Sequence, residues 1–283
     1  MIKEWINEYA PKNHEDIHLA LREIMQEIAL AGLYRSGFFE KAAFYGGTAL
    51  RILHGLDRFS EDLDFSLLKP DPSFQISDYL GAVIDEFASL GLTVTINRKQ
   101  KSFNTKVESA FLKTDTVWNE LILEKIIPSF QIQRPVHLKI KIEVDTIPPP
   151  DFVTEEKLLL KPFSFYVKCY TLSDLFAGKM HALLFRKWKQ RVKGRDWYDM
   201  EWYIRKGVPL HLKHLQSRAI DSKDWAKQSF SEKDFKKLLE HKIQTISISS
   251  IMEDVRRFIK DDTGIAIWSD SYFLDLIGKM KFE

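Results

Sequence analysis

The stretch that most narrows the choice of fold runs from residue 42 to residue 65. It reads Ala-Ala-Phe-Tyr-Gly-Gly-Thr-Ala-Leu-Arg and, seven residues after its closing Arg51, Arg58-Phe59-Ser60-Glu61-Asp62-Leu63-Asp64-Phe65. An apolar lead-in over 42–45 meets Gly46 and Gly47, a short helix is expected to begin at Thr48, and a second apolar strand carries Asp62 and Asp64. Bare backbone at Gly46 and Gly47 lets amide N–H groups close on an anion, and the helix N-terminus adds positive partial charge. The Thr48 hydroxyl is expected to cap that helix or to touch a phosphate oxygen. On a strand, successive side chains alternate, so Asp62 and Asp64 share one face while Leu63 and Phe65 turn to the core. Adjacent carboxylates repel each other unless a divalent cation lies between them, and Mg²⁺ prefers such hard oxygen ligands. A strand, helix, strand unit would thus set a phosphate cradle beside a metal-binding pair, with Arg58 and Ser60 adding a cation and a hydroxyl. A lone Gly-Gly is a common tight turn and a lone Asp-x-Asp a common solvated edge; their combination is what discriminates.

At 283 residues, 45% hydrophobic and 29% charged, the chain suits one large or two modest soluble globular domains. A net charge of +2 is too small to mark a nucleic-acid binder by itself. The single cysteine, Cys169, excludes an intrachain disulfide and a cysteine-based zinc site, and is expected to be a core thiol. No signal peptide precedes Trp5 and no apolar run approaches roughly 18 residues, so no membrane span and a cytoplasmic location are expected.

Along the chain, Asn13 with Asp16 predicts a capped helix carrying Ile17, Leu21, Ile24, Ile28 and Ala31. Ile76, Leu80, Val83, Ile84 and Phe87 mark another, stopped by Gly91, and Leu92, Val94 and Ile96 alternate as a strand. From Val136 to Thr146, Leu138, Ile140, Ile142 and Val144 form one face and Lys139, Lys141, Glu143 and Asp145 the other. If this strand lies beside that of Asp62, either Glu143 or Asp145 completes a metal triad; alternatively it is an edge strand whose mixed charges deter aggregation. Pro148 to Pro150 and Pro162 interrupt the chain before a strand around Phe163, Phe165 and Val167. Beyond Tyr170 the pattern turns helical, with Thr171 or Ser173 capping one helix, Ser231 and Asp234 another, and Ile251, Val255 and Phe258 marking a third. The expected fold is α+β, with a mixed-sheet domain over 1–170 and a helical domain over 171–283 that closes the cleft.

Between Lys179 and Arg195 lie seven basic residues (Lys179, Arg186, Lys187, Lys189, Arg191, Lys193, Arg195) and no acid. Trp188, Trp197 and Tyr198 interleave aromatics, a composition that suits a polyanion such as RNA; a solvated helix face is the ordinary alternative for the outer lysines. Lys179 shares a helix face with Leu183 and Arg186 and is placed to reach a triphosphate. Arg195 and Asp199 are spaced to pair at i and i+4, and Asp196 or Asp199 would orient the nucleotide or a basic side chain.

The block Gly46-Gly47-Thr48-Ala49-Leu50 with Arg58 to Phe65 resembles the AbiEii family, nucleotidyltransferase toxins of abortive-infection and type IV toxin-antitoxin systems related to the MenT toxins. The wider polymerase-beta-like nucleotidyltransferase superfamily shares the glycine pair and Asp-x-Asp. Arg195-Asp196-Trp197-Tyr198-Asp199 resembles the family's downstream Arg-Asp-x-Tyr-Asp signature, so the likeness brackets most of the chain. The resemblance implies a polymerase-beta-like domain in which Asp62, Asp64 and, for the third position, Glu143 rather than Asp145 hold Mg²⁺. It implies that Gly46, Gly47, Thr48, Arg58, Ser60 and Lys179 hold a nucleoside triphosphate, and that Lys179 and Asp196 are needed for activity, with Asp199 a structural partner. It further implies an RNA acceptor such as the tRNA 3′ end and a separate antitoxin protein. A protein or small-molecule acceptor, a silent RNA-binding module of the same fold and a phosphodiesterase are the rivals. The last usually adds histidine ligands, and the eight histidines here are scattered along the sequence.

Overall fold

The computed structural model describes residues 1–98, 116–123, 138–186, 193–227 and 229–283. In chain order, α1 (Ile2–Glu8) and α2 (His14–Arg35) lead into β1 (Ala42–Tyr45), α3 (Gly46–His54), β2 (Leu63–Leu67), α4 (Ser77–Ser89) and β3 (Val94–Arg98). Then come β4 (Thr116–Leu123), β5 (Leu138–Asp145), β6 (Thr154–Leu159) and β7 (Phe165–Tyr170). The rest is α5 (Leu172–Phe185), α6 (Gly194–Arg205), β8 (Pro209–Leu210), α7 (Leu212–Asp221), α8 (Glu232–Thr245), α9 (Ile248–Arg256), α10 (Asp270–Ile277) and β9 (Lys281–Phe282). No helix among the described residues is long and apolar enough to cross a membrane. The basic positions Lys187, Lys189 and Arg191, together with Trp188, lie outside the described residues.

The α+β expectation holds: seven strands form one mixed sheet in the order β3-β4-β5-β2-β1-β7-β6. The pairs β2/β5 and β1/β7 are parallel, and β1/β2, β3/β4, β4/β5 and β6/β7 are antiparallel. β5 lies inside the sheet between β4 and β2, so the edge-strand reading of its charges fails. Leu138, Ile140, Ile142 and Val144 are fully buried, which leaves Lys139, Lys141 and Glu143 on the wetter face, as the alternation predicts. Neither β4 nor β6 is foreseen by the sequence reading. β6, Thr-Glu-Glu-Lys-Leu-Leu, has no clean alternation and is held by its register on β7, where Glu155 faces Cys169 and Leu159 faces Phe165.

α2 crosses the sheet against β5 and β7 with α4 on its other flank, and from Ala20 to Leu33 it is buried almost all round. It opens as its spacing predicts, the Asn13 side chain accepting the Asp16 amide proton at 2.9 Å. α8 opens on the Ser231/Asp234 capping box. At α5 the N-cap is Thr171, but its hydroxyl donates to the Asp174 carboxylate at 2.7 Å rather than accepting from a backbone amide. One connected apolar core runs from Phe65 and Val144 in the sheet through Tyr170 and Phe176 to Phe273 near the C-terminus.

α6 is seated on α9 through Gly194, whose amide donates to Asp254 at 2.9 Å. A Cβ at Gly194 would lie 2.0 Å from the Ile251 carbonyl oxygen, a backbone atom that cannot swing away. Gly194→Ala is therefore expected to destabilise the protein by roughly 1–3 kcal/mol, the range for forced overpacking, read as a lower denaturation midpoint at unchanged slope.

Candidate active site

β1 ends at Tyr45, and the chain turns at once into α3, which starts at Gly46, two residues ahead of the expected Thr48. Gly46 has φ +83°, and a Cβ there would meet the Asp64 Oδ2 at 2.6 Å. Glycine is thus required by both the backbone conformation and the approach of a carboxylate. A Cβ at Gly47 would meet the Arg58 guanidinium at 2.7 Å and the Ser60 hydroxyl at 3.1 Å. The turn is therefore flanked by Asp64 on one side and by Arg58 and Ser60 on the other. No side chain caps α3, so its first-turn amides have no side-chain acceptor.

Thr48 departs from expectation. It is fully buried, and its hydroxyl donates to the Asp62 backbone carbonyl rather than capping the helix. Its contact fixes the segment that precedes β2. The Gln26 side-chain amide holds the same segment from below, donating to the carbonyls of Ser60 at 3.2 Å and Glu61 at 3.0 Å.

The carboxylates converge, but β2 begins at Leu63, so Asp62 stands just before the strand expected to carry it and only Asp64 follows the strand alternation. Leu63 and Phe65 are fully buried, while Asp64 is half-buried on the other face. In register, Asp64 stands opposite Tyr45 on β1 and opposite Glu143 on β5. Burial, then the charges of Asp62 and Glu143, push the Asp64 carboxyl up to about 7, although Lys141 and Lys179 offset part of the effect. Asp62 is raised too, by burial and by Glu143 and Glu61, against Lys141 and Arg195. Glu143 is held at 2.6 Å by Lys141. Asp145 lies one rung deeper, opposite Ser66, only 8% exposed, with Oδ1 accepting the Ile147 amide proton at 3.1 Å.

Three hard-oxygen donors crowded beside a bare turn, with the charge of Glu143 helping to raise both Asp62 and Asp64, fit a divalent cation of the Mg²⁺ class. The same repulsion has a stability consequence. With its folded-state carboxyl near 7 and its unfolded value near 3.8, Asp64 keeps a proton in the folded chain that the unfolded chain has already released. Its contribution to stability therefore falls as pH rises from about 4 to about 7 and is fully unfavourable above that window. Chelator-treated Asp64→Asn is expected to match the parent near pH 4 and to exceed it by roughly 1–3 kcal/mol at pH 8, as measured by denaturant melts.

Helices α5 and α6 bring further charges to these carboxylates, Lys179 acting on Asp64 and Arg195 on Asp62. Lys179 on α5 pairs with Asp196 at 2.9 Å and Asp199 at 2.8 Å, both on α6. Arg186 approaches Asp196 at 3.7 Å. Burial opposes ionisation of Asp196, but Lys179 and then Arg186 outweigh it and hold the carboxyl down to about 2. At Asp199 burial is likewise outweighed, by Arg58 and Lys179, and the carboxyl is lowered. Lys193, depressed to about 8 by burial and by Arg186, belongs to the same basic group.

Three expectations for this region are corrected. Arg58 is 2% exposed and grips Asp199 with two parallel bonds, Nε to Oδ1 at 2.6 Å and a terminal nitrogen to Oδ2 at 2.5 Å. It is a buried clamp under Gly47 rather than a group presented to a phosphate, because both its strong donor edges are used within the protein. Arg195 does not pair with Asp199 at i+4; it reaches Glu61 at 3.1 Å and lies over the Phe258 ring at 4.0 Å. Trp197 is also not presented for base stacking, being 2% exposed and packed edge-on to Phe273.

The sequence reading missed Tyr45, Gln26 and the Glu61 bridge, which Arg22 joins at 3.3 Å. Tyr45 is cross-strand to Asp64 and its ring stacks on Tyr170 at 5.4 Å. Its place directly before the glycine pair was a signal for it; Gln26 and Arg22, 34 to 39 residues upstream of the groups they hold, carried none.

Residues 28–273 match the family described as nucleotidyl transferase AbiEii toxin, type IV toxin-antitoxin system. The crystal structure of JHP933 from Helicobacter pylori shares the fold at a TM-score of 0.52 and 16% identity, over 92% of this chain and 88% of that one. A second Helicobacter pylori structure, provisionally assigned as a nucleotidyltransferase, aligns at a TM-score of 0.46 and 17% identity over 89% of this chain and 92% of that one. No curated protein sequence matches the chain. Since the family match spans most of the sequence and falls on the glycine turn, the converging carboxylates and α6 alike, the chain belongs to the AbiEii family of nucleotidyltransferase toxins of type IV toxin-antitoxin systems.

Proposed function

We propose that this chain transfers a nucleotide from a nucleoside triphosphate to a hydroxyl of RNA, the 3′ end of tRNA in particular, in a Mg²⁺-dependent reaction that releases pyrophosphate. In this reading residues 1–170 are the nucleotidyltransferase domain and 171–283 a helical domain closing the cleft. The observation that carries it is the meeting of Asp64 with the bare backbone of Gly46, with Glu143 directly opposite on β5.

Asp62, Asp64 and Glu143 would hold the ion; Glu143 is favoured over Asp145, whose carboxylate is committed to the turn at Ile147. A bound divalent ion supplies charge neutralisation to the attacking and leaving oxygens at the α-phosphorus. The uncapped amides of Gly46 and Gly47 receive the phosphates, and the Ser60 hydroxyl lies beside them. A carboxylate of the set accepts the proton of the attacking hydroxyl. Lys179 offers its charge to the departing pyrophosphate, and Asp196 and Asp199 fix where that ammonium stands. Arg58 takes no phosphate; it locks the glycine turn to α6 through Asp199. The cluster of Arg186, Lys193 and Arg195 beside the cleft supports a polyanionic acceptor. Membership of a type IV system pairs the toxin with a separate antitoxin protein.

Incubation with Mg²⁺, each α-labelled nucleoside triphosphate in turn and total tRNA is the test. Label in RNA is the expected result. Free nucleotide without transfer would favour a phosphodiesterase, and RNA binding without either product would favour a silent module.

A further inference from the structure

Away from the cleft, His54, Glu155 and Cys169 converge on the far side of α3, their ligand atoms all within 4.8 Å of one another. They come from three segments: His54 from the last turn of α3, Cys169 from β7 and Glu155 from β6, the latter two in direct cross-strand register. The nucleotidyltransferase chemistry uses none of them. We propose that these three side chains form a second metal site, of the zinc class, that anchors the tail of the helix whose head is the glycine turn.

The donor set is a thiol sulfur, an imidazole nitrogen and a carboxylate oxygen, which selects Zn²⁺ over Mg²⁺ and leaves a fourth tetrahedral position for water. Bond lengths of about 2.0–2.3 Å put tetrahedral ligand atoms roughly 3.3–3.8 Å apart, so the three need to close by only about 1 Å. His54 Nε2 is buried and has no hydrogen-bond partner among the described residues, an arrangement that costs free energy unless something coordinates it. Burial, then Lys157, holds this imidazole at about 4, so it is neutral and ligand-ready at neutral pH. Burial pushes the Cys169 thiol up to about 12, so uptake of the ion releases the thiol proton to solvent. Lys157 grips Glu155 Oε2 at 2.9 Å, which leaves Oε1 for the ion and orients the carboxylate. The exclusion of a cysteine-based zinc site drawn from the sequence holds for a cysteine-rich motif but not for this mixed set, whose positions 54, 155 and 169 have no spacing that a sequence reading would register.

α3 runs about 12 Å from Gly46 to His54. An ion at its tail would tie that helix to the β6–β7 edge while the head holds the triphosphate. Because Cys169 is the only cysteine, a thiolate-to-Co²⁺ charge-transfer band can arise from no other residue. The experiment titrates chelator-treated full-length protein with Zn²⁺ and with Co²⁺, following metal content, the near-ultraviolet band and the melting temperature. With excess Mg²⁺ present to occupy the carboxylate site, one equivalent of tightly held Zn²⁺ is expected, with a Co²⁺ charge-transfer band and a raised melting temperature. Cys169→Ser should lose the band, His54→Gln should weaken Zn²⁺ by about 100-fold, and Asp64→Asn should leave both intact. His54→Gln removes a partly exposed ligand and serves even if the buried Cys169 variant fails to fold. No retained Zn²⁺ and no thiolate band would overturn the proposal, as would Zn²⁺ binding that His54→Gln leaves unchanged or Asp64→Asn abolishes.

Discussion

Asp64→Asn is expected to lose nucleotide transfer by about 10³-fold or more, and with it any growth arrest on expression, while the purified variant melts no lower than its parent. The two halves have one cause. In the absence of a cation the Asp64 carboxylate is destabilised by burial and by Asp62 and Glu143, so its loss relieves the fold. In the proposed reaction, the same crowding would draw an ion against phosphates at Gly46. Asparagine keeps the shape and removes the charge, which separates function from folding. Single-turnover transfer with labelled nucleotide, run beside a denaturant melt, reads both. A variant that transfers at the parental rate removes Asp64 from the chemistry.

Arg58→Ala is expected to have the largest effect on stability, about 3–5 kcal/mol. The guanidinium is buried and doubly bonded to Asp199, which is itself fully buried, so truncation leaves a carboxylate without its bidentate partner. Lys179 remains on Asp199 and moderates the loss. Lysine at position 58 is no rescue, since a point charge cannot reproduce two parallel bonds. Arg58→Met with Asp199→Leu, which removes both partners, is expected to recover much of the loss, because no charge is then stranded. Urea melts of the three variants decide it; equal destabilisation by the single and double changes would mean that packing, not the ion pair, is what Arg58 provides.

The glycine turn, the nearness of Asp62 to Asp64 and the alternation of β5 were legible because each depends on spacing within a few residues. So were the caps at Asn13 and Ser231. The roles of Thr48 and Arg58 were not. Both are polar residues next to a phosphate turn, and only tertiary structure tells that Thr48 reaches the Asp62 carbonyl and that Arg58 meets a residue 141 positions away. Arg195 and Asp199 satisfied the helical spacing for a pair yet found stronger partners in Glu61 and Arg58. Local rules singled out the candidates, and competition among long-range partners decided which contacts each of them makes. β6 escaped for a related reason, since its strand character comes from pairing with β7 and not from its own sequence.

The most direct test is a crystal of the parent protein soaked with Mn²⁺ and a non-hydrolysable nucleoside triphosphate. An anomalous peak is expected about 2.2 Å from carboxylate oxygens of Asp64 and its neighbours Asp62 and Glu143, with the phosphates seated on the amides of Gly46 and Gly47. Manganese bound elsewhere, or phosphates lying away from that turn, would contradict it.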